Sequence, residues 1–400
     1  MKDIAILIGG KIINGLFGLL LFHVIKQVLF PSVYIEFSNC LAVLTLLATF
    51  SAGAISGLML KQAFNSKENT GIILYWTAFF LLISVLVIEV FIATKQFPSV
   101  YRAQAYAYLF TNLFVGVVLI DFQLKQQFVR MLVLDSLRLI VPLLVIVILS
   151  KLMALQYLAL AKVLWLLVLG NVFGTAYFLI KLRVDPSSLK DLSYFRNNWK
   201  SDLLYSFWFS AFNALAQLVI TFDRQWIAKN HTELLASKIA YTADQITRIA
   251  NGILFPINTK LSSQLGVLVR ENKINAFNRS LRFGAFLSIG MGLALVGALW
   301  LALFIANYYQ LDFAIATPTA VIYGIGASLY LSALILQKRF DYTKYKSVPT
   351  LFLLLALLTG LFGKWSFLSV FGLYPFVNIL FFVFIAAASE GLRKKLVMDS

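Results

Sequence analysis

The residues equipped to do chemistry fall on two stretches of this 400-residue chain. Between Ala236 and Pro256, the side chains of Ser237, Lys238, Tyr241, Asp244, Gln245, Arg248 and Asn251 share a sector of roughly 140° if the segment is helical. The other side carries Ile239, Ala243, Ile246, Ile249, Ala250, Ile253 and Leu254. Long apolar runs flank the segment, so the polar sector is expected to look into a wet cavity inside a helical bundle. An ionisable residue at membrane depth is a functional-site hypothesis by default. Asp244 and Arg248 stand four apart and can pair, which lowers the cost of burying either; the alternative is that this pair only stitches two helices together. In the first apolar run, Lys11, Gly15, Gly18, Phe22 and Lys26 share a stripe of roughly 80°. Its glycines admit a neighbouring helix or leave room for a ligand. The competing reading is that both lysines snorkel to the membrane interfaces.

Glu89, Lys162 and the pair Asp135 and Arg138, the last two near an inner end of their span, read as structural or interfacial. Asp135 and Arg138, three apart, can neutralise each other. Asp223 and Arg224 close the seventh apolar run; adjacent helical residues point in different directions, so both are not expected to face one cavity. No G-x-x-x-x-G-K-[ST] run is present, which excludes nucleotide hydrolysis through a P-loop. His23 and His231 lack zinc-like spacing to other ligand types, Cys40 has no intrachain disulfide partner, and no Asp-x-Asp pair occurs that would hold a metal-bound sugar nucleotide. No cofactor or metal is expected.

The elements that position these groups follow from composition. With 60% hydrophobic and 13% charged residues, the chain lies well outside the balance of a soluble domain. The apolar runs are too long for barrel strands and fit about a dozen spans of about 20 residues. The expected spans are 4–29, 33–60, 71–94, 103–120, 130–150, 157–180, 201–222, 236–258, 281–307, 314–336, 348–363 and 367–389. The first is too long for a cleavable signal. With the N-terminus inside, the segments placed inside hold twenty-one lysines and arginines and those placed outside hold six, which puts both termini in the cytoplasm. The net charge of +17 is spread through these loops and forms no nucleic-acid face. The fold class is therefore an all-α polytopic membrane protein. A central connection near 181–200 divides it into two six-helix bundles, 1–195 and 196–400, as in transporters built from halves.

From Asp223 to Ser263 the chain reads DRQWIAKNHTELLASKIAYTADQITRIANGILFPINTKLSS. This resembles the seventh-to-eighth-span region of the polysaccharide biosynthesis transporters, the Wzx-type lipid-linked oligosaccharide flippases of the superfamily that includes MATE exporters. The matching positions are Asp223-Arg224, Tyr241 with Ala243, and Pro256 ahead of Ser262, where a turn ends the eighth span in the family. FSAGAISGLMLKQAF at 50–64 looks like the family's second-span end, and KQQFVR at 125–130 is similar to its fourth-to-fifth connection. The family's Leu-Gly…Tyr-Gly signature between the first two spans is absent.

The resemblance implies a MATE-like architecture and the flipping of undecaprenyl-diphosphate-linked repeat units across the bacterial inner membrane. The substrate is then a lipid-linked oligosaccharide in a membrane lipid setting, with a polysaccharide polymerase and a chain-length regulator as partners in O-antigen or capsule assembly. A diphosphate needs cations in a hydrated path. Arginine offers it a bidentate fork and lysine a point charge, so Arg248, Lys11 and Lys238 are the expected diphosphate contacts. Asp244 would hold Arg248 and, with Asp223, couple transport to an ion gradient. Tyr241, Gln245, Asn251, Gly15 and Gly18 would line the cavity. The competing functions are a MATE-like exporter of cationic drugs, which would want carboxylates, and a membrane-bound polymerase or sugar transferase, against which the short outside loops count.

Overall fold

The computed structural model describes residues 2–64, 70–125, 127–152, 158–181, 192–271, 273–308, 317–341, 345, 347–363 and 372–391. Among these residues the regular structure is helical, without a strand. The first six helices are α1 (Lys2–Val28), α2 (Pro31–Phe64), α3 (Thr70–Ala93), α4 (Arg102–Leu124), α5 (Phe128–Leu152) and α6 (Leu160–Lys181). The next six are α7 (Leu192–Asn230), α8 (Glu233–Arg270), α9 (Ile274–Tyr308), α10 (Thr317–Asp341), α11 (Val348–Phe362) and α12 (Leu373–Gly391).

Each expected span has its helix, and the differences lie at the ends. Helices α7, α8 and α9 contain 39, 38 and 35 residues, well beyond the apolar cores that define the spans. Their extra turns are polar and basic. A hydropathy reading stops where the apolar residues stop, whereas backbone hydrogen bonding does not. In particular, α8 does not end at Pro256 but runs on to Arg270. A proline inside a helix removes one hydrogen bond and can bend it, and here the helix continues. Among the described residues, ten helices are long and apolar enough to cross a bilayer. Two are not among them: α8 carries charge at intervals along its length, and α11 has 15 residues.

The chain forms two compact units, residues 20–221 and residues 1–19 with 222–400. In the first, α4 is the hub, packed against α2, α3, α5 and α6, while α2 also packs on α3 and α5 on α6. Small residues set these approaches, as expected where lipid supplies no hydrophobic drive. A Cβ on Gly174 of α6 would stand 2.5 Å from Val115 of α4, and one on Gly170 would stand 2.5 Å from the Arg138 carbonyl oxygen of α5. That carbonyl is the one that Pro142, four residues on, cannot satisfy. Polar pairs add local ties: the Ser51 and Ser84 hydroxyls join α2 to α3, and Glu89 of α3 receives Arg102 at 3.1 Å and the Tyr106 hydroxyl of α4. Cys40 is buried in α2.

In the second unit α10 is the hub, in contact with α8, α9, α11 and α12. Leu261, Leu265, Phe277, Leu281, Ala285 and Ile335 form a core joining α8, α9 and α10. Near the C-terminal end of α10 the buried Arg339 donates to the Ser389 carbonyl of α12 and, at 2.9 Å, to Asn278 of α9. One guanidinium thus ties three helices.

Candidate functional site

The most connected polar group in the second unit is built on α7, α8, α10 and the first turn of α12. Asp223 and Arg224, with 0% and 3% of their side chains exposed, form an ion pair at 3.0 Å. Arg224 also donates through Nη2 and Nε to Asp244 Oδ1 of α8, at 2.7 and 3.1 Å. The expectation that Asp223 and Arg224 face different ways is corrected here. Adjacent residues leave a helix in different directions, yet the arginine side chain is long enough to serve both carboxylates. Asp244 was expected to hold Arg248, whose side chain lies outside the described residues; the partner described is Arg224.

Asp223 has a second task. Its Oδ1 accepts from the backbone N–H of Tyr374 at 2.9 Å, and its Oδ2 from the Tyr323 hydroxyl at 2.5 Å. The first N–H groups of a helix lack intrahelical partners and carry the positive end of its dipole, so a carboxylate from α7 caps α12. The chain enters that helix through Gly372 at φ +83, and a Cβ there would lie 2.5 Å from the Tyr323 hydroxyl and 2.7 Å from Asp223 Oδ1. Only glycine meets both demands. Tyr323 and Tyr374 stack with centroids 5.6 Å apart and planes 7° from parallel.

Desolvating three charges costs several kcal/mol per ion. It is offset here by the two ion pairs, the tyrosine hydroxyl and the helix terminus acting together. Such a network is stable as a whole and intolerant of losing one member.

The other sequence-derived candidates are placed as follows. Tyr241 and Gln245 of α8 are buried, and neither polar atom of the Gln245 amide has a partner among the described residues. Lys238 on α8 and Lys11 on α1 are half-buried. Gly18 is buried, whereas Gly15 has open space where a Cβ would stand. Arg248 and Asn251 belong to α8 by backbone, and their side chains lie outside the described residues. Among the residues described, the structure brings together Asp223 and Asp244, and adds Arg224, Tyr323, Gly372 and Tyr374. Arg224 was signalled by its neighbour Asp223, whereas Gly372 falls inside the expected span 367–389 and carried no signal of its own. Nothing local to Tyr323 announced it.

A second polar cluster occupies the first unit. Arg138 of α5 donates through Nε to Asn171 Oδ1 of α6 at 2.8 Å, and the Asn171 amide donates to Thr111 of α4 at 3.4 Å. Thr175 hydrogen-bonds the Thr111 carbonyl at 3.4 Å. Neutralisation by Asp135 is loose, at 3.8 Å, while Asn171 draws the guanidinium across to α6.

No family model and no curated protein matches the sequence. Solved structures match the fold. A MATE protein in complex with MaD3S gives a TM-score of 0.69 at 15% identity, with 98% of this chain and 95% of that one covered. An outward-facing multidrug resistance MATE family transporter of the MOP superfamily gives 0.66 at 15% identity, with the same coverage of 98% and 95%. A MOP superfamily transporter from Pyrococcus furiosus Vc1 (DSM3638), whose reversed binding-pocket polarity suggests a different function, gives 0.65 at 15% identity, again covering 98% and 95%. The fold is that of the MATE transporters of the MOP superfamily: all-α, polytopic and membrane-embedded.

Proposed function

We propose that the chain is a flippase that moves undecaprenyl-diphosphate-linked oligosaccharide repeat units across the bacterial inner membrane by alternating access, with both termini cytoplasmic. The observation that supports this reading is the charge balance of α8. Asp244, its only acid beyond Glu233, is taken up by Arg224 at 2.7 Å. Lys238, half-buried on the same helix, has no acidic partner among the described residues. The charge left over on α8 is cationic, and a diphosphate needs cations where water is scarce.

In this reading Arg248 and Lys11 contact the diphosphate, with Lys238 as a third cation. Tyr241, Gln245, Asn251, Gly15 and Gly18 line the path. Asp244 and Asp223 hold arginine and link the cycle to an ion gradient, while the bundles 1–195 and 196–400 rock about the site. A polysaccharide polymerase and a chain-length regulator act downstream. The test is complementation of a flippase-deficient strain scored by surface polysaccharide. Wild type should restore export, and a variant carrying Lys11→Ala, Lys238→Ala and Arg248→Ala together should not; export at wild-type level from that variant would refute the assignment.

The second reading is a MATE-like exporter of cations, favoured by the fold likeness to multidrug resistance MATE family transporters. It requires expression to raise the minimum inhibitory concentration of cationic drugs without altering polysaccharide export.

A further inference from the structure

Arg138 is the eleventh residue of α5, about 15 Å along a helix of about 37 Å. Since α5 is long and apolar enough to cross a bilayer, Arg138 lies within its apolar length and not at the end of the helix, where the sequence alone placed it near an inner end. The exposed apolar residues of α5, Val129, Val133, Leu144 and Ile148, occupy an arc of roughly 100° at helical spacing. Arg138 lies roughly 130° from the centre of that arc, on the side of the buried Leu134 and Ile146. Its side chain nevertheless keeps 24% of its surface accessible. The guanidinium is thus turned away from the exposed apolar face of α5 and is not sealed off by its neighbours.

The hydrogen bonds orient it. Asn171, itself buried, takes the Nε proton at 2.8 Å and is steadied by Thr111. This fixes the guanidinium plane and leaves the η nitrogens at the far edge. Asp135 approaches Nη1 only to 3.8 Å, beyond hydrogen-bond length. A planar fork held at Nε by Asn171, with Asp135 no closer than 3.8 Å to Nη1, is the geometry that receives a phosphate or carboxylate.

We propose that Arg138 is an anion-binding residue of the unit 20–221, positioned by Asn171, and that it receives the phosphates of an amphiphile's headgroup. The proposal rests on the flippase reading for the nature of that headgroup.

Binding to the purified full-length protein in detergent tests it, with farnesyl diphosphate, inorganic pyrophosphate and farnesol as the three probes. Wild type should bind farnesyl diphosphate well above farnesol. Arg138→Gln should weaken farnesyl diphosphate about tenfold, and Arg138→Lys about threefold because charge remains without the fork, with farnesol unchanged in both. Asn171→Leu should lose affinity for farnesyl diphosphate alone. Asp135→Asn should gain about threefold, a gain that a merely structural pair would not produce. Helical circular dichroism and elution volume confirm that each variant is folded, and the two milder variants carry the test if Arg138→Gln is not. Equal binding of farnesyl diphosphate by wild type, Arg138→Lys and Asp135→Asn, alongside weakened binding in Lys238→Ala, overturns the Arg138 assignment and leaves the flippase reading intact. No preference of wild type for farnesyl diphosphate over farnesol overturns both. Pyrophosphate bound as tightly as farnesyl diphosphate marks a free-phosphate site and overturns the headgroup assignment.

Discussion

Arg224 holds two carboxylates that belong to different helices, and its own burial leaves it no water to fall back on. Replacing it with methionine keeps the volume of the stem and removes the charge. Asp223 and Asp244 would then lose their common counter-ion, and breaking such a buried pair costs about 3–5 kcal/mol. The expected result is a marked fall in the thermal unfolding midpoint of the purified protein, larger than that of Asp244→Asn, whose side chain is 18% exposed. Equal midpoints for Arg224→Met and wild type would remove the network from the stability account. Gly372 is constrained in a different way. Alanine there meets both a positive φ and the Tyr323 hydroxyl at 2.5 Å, and the backbone strain alone costs about 1–3 kcal/mol. Gly372→Ala should therefore lower the same midpoint even though no charge is touched.

Helix pairs in each unit depend on how near their backbones come, and glycines separate into two kinds on that criterion. Gly170 lets α6 reach the Arg138 carbonyl, and a methyl group at that place meets backbone, which cannot rotate aside. Overpacking of this kind costs about 1–3 kcal/mol, so Gly170→Ala should destabilise the protein and loosen the Arg138–Asn171 hydrogen bond. Gly15 has nothing within 4 Å of the place a methyl group would occupy. Gly15→Ala should change stability by no more than about 0.5 kcal/mol. Any loss of transport in that variant would then report on the path rather than on folding, by comparing the unfolding midpoint with export in the same cells. The element scale is also where the sequence was least informative. The spans were legible because their apolar runs are long, but the outer turns of α7, α8 and α9 were not, since polar helix and polar loop look alike to a hydropathy reading. Pro256 misled for a related reason: it marks a missing hydrogen bond, which a long helix tolerates.

For the whole molecule, the distribution of lysine and arginine makes a prediction that stands apart from the site. A fluorescent protein fused after Ser400 should fluoresce, and alkaline phosphatase fused at the same point should be inactive, because both termini are expected in the cytoplasm. The reverse result would invert every span. Fold class was readable from composition and periodicity, which depend on many residues at once. The site was readable only in part: Asp223, Arg224 and Asp244 lie in a recognisable stretch, whereas Tyr323 and Tyr374 stand 100 and 151 residues from the aspartate they touch. No local pattern can announce a partner at that distance.

That separation also sets an order of events during synthesis. At about 5–20 residues per second, the backbone amide that caps Asp223 is made roughly 8–30 s after the aspartate itself. Until then α7 carries an acid whose final acceptor role is unfilled, and the second unit cannot close. A chain stopped before Gly372 would keep that acid waiting indefinitely, so truncated products should be cleared by membrane proteases far faster than the full-length protein.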